Sequence, residues 1–512
     1  MSPDLDIEAR VRRPFVIHGL ARARLVLALV TFSLMGASAS EALPPNIVLI
    51  VADDHGTGDL AAYGNQAIPT PHLDRLADAS VRFTRAYTTA ASCTPSRSTI
   101  QSGLHNHANG LYGLSHHTHH FRAFESVFSL SRLLAEVGGY RTARVGKFHV
   151  APDSIFPYQT LIASDVLNPV EMAEKTRPFL ETRRAEAQPF FLYFATIAPH
   201  RSGTYREDLP HRPNDFHNRR EGYPGVETME VDPDSVVVPP YLPDTPACRQ
   251  ELAQYYQAVS RLDQGVGRLL ALLRETGHWE NTLVLYLSDN GIAFPGAKTN
   301  LYEPGVRLPL LVKLPAGAQG GATCDALVSW TDLTPTLLDF AGILPAAERL
   351  LAAGYEANKG AWDSTFVPGF QGRSLRPLLE APERIEGWDE VYASHTFHEV
   401  TMYYPMRAVI TRDFKLIWNI ASDLPYPNSL DLWHSATWQY AMQRDGNMGP
   451  RSIEAYTHRP RFELYDLRSD PWESRNLAQD PAYAAELLRL QGRLRAFQER
   501  TGDPWVLKWE RE

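Results

Sequence analysis

The chain has 512 residues, of which 44% are hydrophobic and 21% charged, with a formal net charge of −9. That length accommodates about three domains of roughly 150 residues, or one large α/β domain with an appendage, and the composition excludes a disordered, collagen-like or repeat protein. The negative balance excludes a general polyanion binder such as a nucleic-acid protein, so an anionic ligand has to be met by local cations. Cys93, Cys248 and Cys324 are too few for a disulfide framework, and no CxxC pair points to zinc or redox work.

In chain order, the first feature is an export signal. Arg22 and Arg24 precede an apolar run from Leu25 to Gly36, followed by small residues around Ala37 to Ala39. At about twelve residues the run is too short to span a bilayer. Residues 1–42 are therefore read as a signal peptide with an N-terminal extension, and the mature protein as exported, periplasmic or secreted, with no membrane insertion once the signal is removed. "RRPFV" from Arg12 resembles a twin-arginine signal but lies far from the apolar run, which leaves the export route open.

Asn46 to Ala52 is a continuous run rich in Val and Ile, predicting a strand buried on both faces of a parallel sheet. Asp53 and Asp54 follow at its carboxyl end, the edge at which open α/β sheets bind ligands. Adjacent carboxylates repel unless a cation or protons compensate them. A hard cation is one answer; a capping Asp with a solvated neighbour is the other.

"TPHLDRLADASVRF" predicts a helix with Thr70 as N-cap, Pro71 at its first position and Leu73, Leu76 and Ala77 on one face, leading into a short strand. In "SCTPSRSTIQSG", Pro95 pre-sets a helical turn, so Cys93 is expected just ahead of a helix amino end with Arg97 one turn in. That setting lowers a thiol pKa. A thiolate nucleophile and a buried structural cysteine both remain open from these residues alone.

Further on, "QPFFLYFATIAPH" predicts a buried strand, "QELAQYYQAVSRLDQGVGRLLALLRETG" a long amphipathic helix ending at Gly277, and Leu283 to Leu287 another apolar strand with Asp289 and Asn290 beyond it. Alternating strands and helices imply a mostly parallel sheet. The region from Ile343 to about Trp388 loses this rhythm and reads as a link. "EVYASHTF", "MRAVITRDFKLIWNI" and "RFELYDLRSDP" then predict a small antiparallel sheet, followed by a terminal helix over 482–501.

"CTPSR" resembles the Cys-x-Pro-Ser-Arg signature of the type I sulfatases, and its companions follow in order: "VADD", "GKFH" at Gly146 to His149, "APH" ending at His200, and "LSDNG" at Leu287 to Gly291. The resemblance implies an alkaline phosphatase-like α/β core over 43–375 and a smaller subdomain over 376–512. It implies that a formylglycine-generating enzyme converts Cys93 to Cα-formylglycine, whose hydrate is the nucleophile. Asp53, Asp54, Asp289 and Asn290, with residue 93, are the implied ligands of a divalent cation. An oxygen set suits Ca²⁺ or Mg²⁺ and is poor for zinc, and the family favours Ca²⁺. Arg97, Lys147, His149, His200 and Lys298 are the implied catalytic groups. Lys298 lies in "GAKTNLYEPGVRLPLLV", where Glu303, Gly305 and Arg307 continue a variant of the pattern and Arg307 reads as structural.

Within that family "NGLYGLSHHTHHF", "RLDQGVGRLL", "SDNGIAFPGAKTNLY" and "SHTFHEVTMYYPMRAVITRDFKL" resemble the N-sulfoglucosamine sulfohydrolases, over about Asn46 to Trp505. Lys298 stands where animal members can carry arginine, which keeps the charge and loses the planar fork, and Ser202 where they can carry cysteine. The implied reaction has one hydroxyl of the hydrate attack sulfur while His200 or Lys298 protonates the departing nitrogen. His149 then deprotonates the second hydroxyl to expel sulfate. His398, Glu399 and Arg407 are the candidates for contacting a sulfated sugar, and a terminal-sugar pocket reconciles the acidic chain with an anionic substrate. The histidines of "SHHTHHF" are expected to line the entrance or cap a loop rather than bind metal. Hydrolysis of an oxygen-linked sulfate, of a phosphonate or phosphodiester, or an inactive carbohydrate-binding relative are the alternatives. Homodimer formation is left open.

Overall fold

The structure is a computed structural model that describes residues 44–186, 188–202, 215–358 and 369–511. The export segment read over 1–42 lies outside the described residues. From Pro44 onward the chain clusters as one compact unit.

Eight strands form the main sheet: β1 (Asn46–Ala52), β2 (Val81–Tyr87), β3 (Arg141–Gly146), β4 (Thr160–Ile162), β5 (Phe190–Ala195), β6 (Thr282–Ser288), β7 (Arg307–Lys313) and β8 (Thr323–Ser329). Their order is β4-β3-β5-β1-β6-β7-β2-β8. All pairs are parallel except those of β7, which runs antiparallel to both β6 and β2.

The apolar run at β1 has the physical consequence it implies. Ile47, Leu49 and Val51 point into one core and Val48, Ile50 and Ala52 into the other, because successive strand side chains face opposite ways. Each such Val, Leu or Ile side chain removed from water contributes about 1.5–3 kcal/mol. On the first face lies helix α2 (Cys93–Ser102), through Ile100. On the second lie α1 (Pro71–Asp78), through Leu73 and Leu76, and α3 (Pro246–Glu275), through Leu262, Val266 and Leu269. Thr70 sits at the N-cap of α1 but makes no side-chain cap bond; its hydroxyl donates to Asp74 instead. Thr245 does cap α3, accepting from Cys248 N, with Pro246 in the first turn.

The region expected to be a plain link contains helix α4 (Leu344–Asn358). Its Ala- and Leu-rich sequence favours helix, yet among its described side chains only Ala347 is buried, so no apolar stripe marks it in the sequence. Four further strands, β9 (Glu390–His395), β10 (Met406–Thr411), β11 (Phe414–Asn419) and β14 (Phe462–Asp466), form an antiparallel sheet in the order β14-β11-β10-β9, and a two-stranded ribbon pairs β12 (Asn447–Met448) with β13 (Arg451–Ser452). Between them lies the short helix α5 (Leu430–Trp433). One face of this sheet is covered by the terminal helix α6 (Ala484–Thr501), whose Leu490, Leu494 and Phe497 pack on Val409, Leu416 and Leu464. The opposite face joins Tyr255 and Val259 of α3 through Ala408, Ile410 and Ile417. No described helix is long and apolar enough to cross a membrane.

Candidate active site

Strands β3, β5, β1 and β6 lie side by side in parallel, so their carboxyl ends share one edge. Lys147 and His149 leave β3, His200 follows β5, Asp53 and Asp54 leave β1, and Asp289 and Asn290 leave β6. β2 delivers α2 to the same place. Asp54, His149 and Thr299 adopt left-handed backbone, with φ of 64°, 59° and 66°. Non-glycine residues hold such φ values only where surroundings over-determine them, which is common at functional sites. Gly146 is required by contact: a Cβ there would stand 2.0 Å from Ala195 O.

Cys93 is the first residue of α2 rather than one ahead of it, and Ser92 occupies the N-cap. The thiol lies 3.5 Å from Asp53 Oδ1 and 4.0 Å from Asp54 Oδ1. Arg97, fully buried, donates from Nε to Asp289 Oδ2 at 2.7 Å and from Nη1 to Lys147 O and the Tyr193 hydroxyl, both at 3.2 Å. Lys147 Nζ pairs closely with Asp53. On the other side Asp54 Oδ2 meets His200 Nδ1 at 2.6 Å and Lys298 Nζ at 2.9 Å. Asp289 Oδ1 accepts from the backbone N–H groups of Asp54 and Asn290.

The electrostatics correct one expectation. A helix amino end and Arg97 were to lower the thiol pKa. Instead burial pushes Cys93 well above its ordinary value, against the pull of Lys147 and Lys298. A neutral buried thiol is a poor nucleophile. Burial likewise raises Asp289 to about 7, with Asp53 and Asp54 adding to the rise and Arg97 opposing it. Burial also opposes charge on Asp54, but Lys298, His200 and Lys147 hold it well below the carboxylate range. His200 is pushed down to about 4, and His149 well below its usual value, by burial first and then by neighbouring cations.

Residues 45–343 match the Sulfatase family. The chain belongs to the sulfatase family. It is 39% identical to human N-sulphoglucosamine sulphohydrolase, covering 91% of this chain and 92% of the relative. It is 25% identical to an ulvan-active sulfatase of Formosa agariphila, over 90% of this chain and 75% of that one. Among solved structures, a protein in complex with its substrate D-glucosamine-2-N,6-O-disulfate aligns with a TM-score of 0.61 at 21% identity, covering 92% of this chain and 100% of the other. The phosphonate monoester hydrolase of Agrobacterium radiobacter aligns at 0.60 and 19%, covering 89% and 96%. Both likenesses show the fold. This sulfatase is thus a hydrolase with an α/β core of the alkaline phosphatase-like kind.

The sulfatase's donor set fits a metal ion. Ligand atoms of Asp53, Asp54, Cys93 and His200 lie within 4.8 Å of one another. Beside them Asn290 Oδ1 is buried without a partner among the described residues, while its Nδ2 donates to Asp54 Oδ1 at 2.6 Å. Buried carboxylates crowded this closely, next to an orphaned amide oxygen, make a niche that fits a metal ion.

The three sugar-contact candidates fare differently. His398 is buried against the site, its Nδ1 2.8 Å from Ser92 Oγ. Glu399 is partly exposed and accepts from Leu430 N at 3.0 Å. Arg407 does not face the site. It is 1% exposed, binds Asp503 through Nε and Nη2 at 2.5 and 3.0 Å, and gives Nη1 to the carbonyls of His395 and Met406. Its place on β10 turns it inward to clamp the end of α6, and every guanidinium nitrogen is engaged.

Asp431 escaped sequence reasoning, and His116 was read only together with its neighbours, as lining an entrance or capping a loop. Asp431, in α5, lies 2.9 Å from Lys298 Nζ; it follows no strand of the main sheet, so nothing in its surroundings marks it. His116 stacks on His149 with ring centroids 4.1 Å apart. It was legible only as one of several histidines in a polar loop.

Proposed function

We propose that the chain is a sulfohydrolase that removes the N-linked sulfate from terminal glucosamine residues of heparan sulfate or heparin-type oligosaccharides. The observation that carries the reading is Cys93 at the head of α2, walled by Asp53 and Asp54 and flanked by Lys147 and Lys298. The relative at 39% identity bears the name of that activity, and we transfer it here.

Formylglycine made from Cys93 would supply a hydrated aldehyde, an oxygen nucleophile that the neutral thiol is not. Asp53, Asp54, Asp289 and Asn290 would hold Ca²⁺, which would supply charge stabilisation for the sulfo oxygens. The chain's own groups do the rest. Lys147 and Lys298 attract the anionic sulfo group from two sides. Arg97, fixed by Asp289, sets the orientation of residue 93. Nδ1 of His149, without a partner among the described residues, is available to take up a proton, and Lys298, 3.4 Å from His200, stands as donor to the departing nitrogen. In this reading residues 43–375 carry the chemistry, and 376–512 close the pocket through His398. The N-terminal segment exports the protein, and a formylglycine-generating enzyme acts on it during maturation.

Turnover of N-sulfoglucosamine, a 6-O-sulfated glucosamine and a phosphodiester tests the proposal. Preferential release of sulfate from nitrogen is expected; release from the ester alone would reject it.

A further inference from the structure

The two ammonium groups beside Cys93 are not equivalent. Lys147 pairs with Asp53. Lys298 pairs with two carboxylates, Asp54 and Asp431, each at 2.9 Å. Asp53 and Asp54 both belong to the set that fits a cation. Asp431 is the carboxylate partner of Lys298 outside that set among the described residues. It is also held in place. Its Oδ1 accepts from Ser429 Oγ and from Leu432 N, which leaves Oδ2 to Lys298, and the preceding Leu430 N is anchored on Glu399. Lys298 and Asp431 are 1% and 8% exposed.

We propose that Asp431 is a positioning residue that holds Lys298 as proton donor to the leaving group, and so fits the enzyme to leaving groups that cannot depart unprotonated. The proposal rests on the sulfohydrolase reading above. When an oxygen nucleophile forms its bond to sulfur, the S–N bond breaks and its electron pair stays on nitrogen. That nitrogen must gain a proton, because an amide anion is far too basic to leave. Lys298 gives one proton, becomes a neutral amine, and recovers the proton from solvent after the sugar amine has gone. A lysine whose sole counter-charge was Asp54 would be drawn toward the cation site. Asp431 pulls from the opposite partner, so Nζ is kept between the two, beside His200. An aryl sulfate makes no such demand, since a nitrophenolate leaves without a proton.

The test compares D431N with wild type, as full-length matured enzyme, on N-sulfoglucosamine and on para-nitrophenyl sulfate. The loss in kcat/KM on the sulfamate is expected to exceed the loss on the aryl sulfate by about tenfold or more, less than the full contribution of a general acid because Lys298 itself remains. D431E should recover part of that difference, and D431N added to K298A should deepen it no further. Equal losses on both substrates, or none on either, would overturn the proposal; D431E and a melting curve serve if D431N folds poorly. If wild type releases sulfate from a sugar ester but not from N-sulfoglucosamine, the functional reading fails by itself. The same comparison is then made between that ester and the aryl sulfate, and equal losses there overturn the role of Asp431.

Discussion

Arg97 Nε and Asp289 Oδ2 lie 2.7 Å apart with both side chains fully buried, and Nη2 of the same guanidinium stands 3.5 Å from Asp53 Oδ1. One arginine thus neutralises carboxylates from two strand ends while its stem forms part of the helix that bears Cys93. Removing it strands buried charge, which costs about 3–5 kcal/mol. R97A should therefore lower the melting temperature and abolish activity together. R97K keeps the charge without the fork, and should fold while losing most turnover, as thermal melts and sulfate release would show.

Replacement of Cys93 separates chemistry from stability. The thiol is small and neutral, so C93A and C93S should cost less than about 2 kcal/mol while sulfate release falls to background. Peptide mass analysis of the segment from Ser92 to Arg97 should show loss of sulfur and gain of an aldehyde in native protein. Undiminished hydrolysis by C93A would place the nucleophile elsewhere.

The crowded carboxylates predict a stability effect of the cation that is independent of turnover. A chelator should lower the melting temperature, and Ca²⁺ at about a hundred times its dissociation constant should restore about 2.7 kcal/mol. D289N should weaken that response. An identical melt with and without Ca²⁺ would contradict the assigned ligand set.

Arg407 and His398 should part company under mutation. R407A leaves Asp503 buried without its partner and should destabilise by about 3–5 kcal/mol, with KM unchanged in the fraction that folds. H398A loses a hydrogen bond to Ser92, and should raise KM with a small change in melting. The reverse pattern would return Arg407 to the sugar site.

His395 predicts acid sensitivity. It is 2% exposed, with neither ring nitrogen partnered among the described residues, and burial, then Arg459 and Arg407, push its pKa down to about 3. Between about pH 6.5 and 3 the unfolded chain binds the proton and the folded one does not, so stability falls as pH falls through that window. At pH 5 the contribution is on the order of 2 kcal/mol. H395F should flatten the stability profile there, measured by denaturant unfolding at pH 7 and pH 5. A parallel loss in both proteins would reject the assignment.

Much of the fold is legible from local pattern. β1 and the core of β6 follow continuous apolar runs, α3 follows the helical stripe read from Gln250 although it starts at Pro246, and the second sheet follows its three apolar segments. Helix α4 was not legible, because a helix that buries one described side chain leaves no periodic stripe to read. Arg407 misled because polar residues on a strand look alike whether they face solvent or a buried Asp503, which lies 96 positions away.

Local sequence alone determined that apolar strands would end in carboxylates and that a proline-primed helix would start beside Cys93, since those features depend on neighbours a few residues apart. Tertiary structure decided which charges meet. Lys298 and Asp431 are separated by 133 positions, and the thiol pKa of Cys93 is raised by burial that no nearby residue announces. Desolvation and through-space pairing are properties of the packed chain, and they come into being only when distant segments exclude water together.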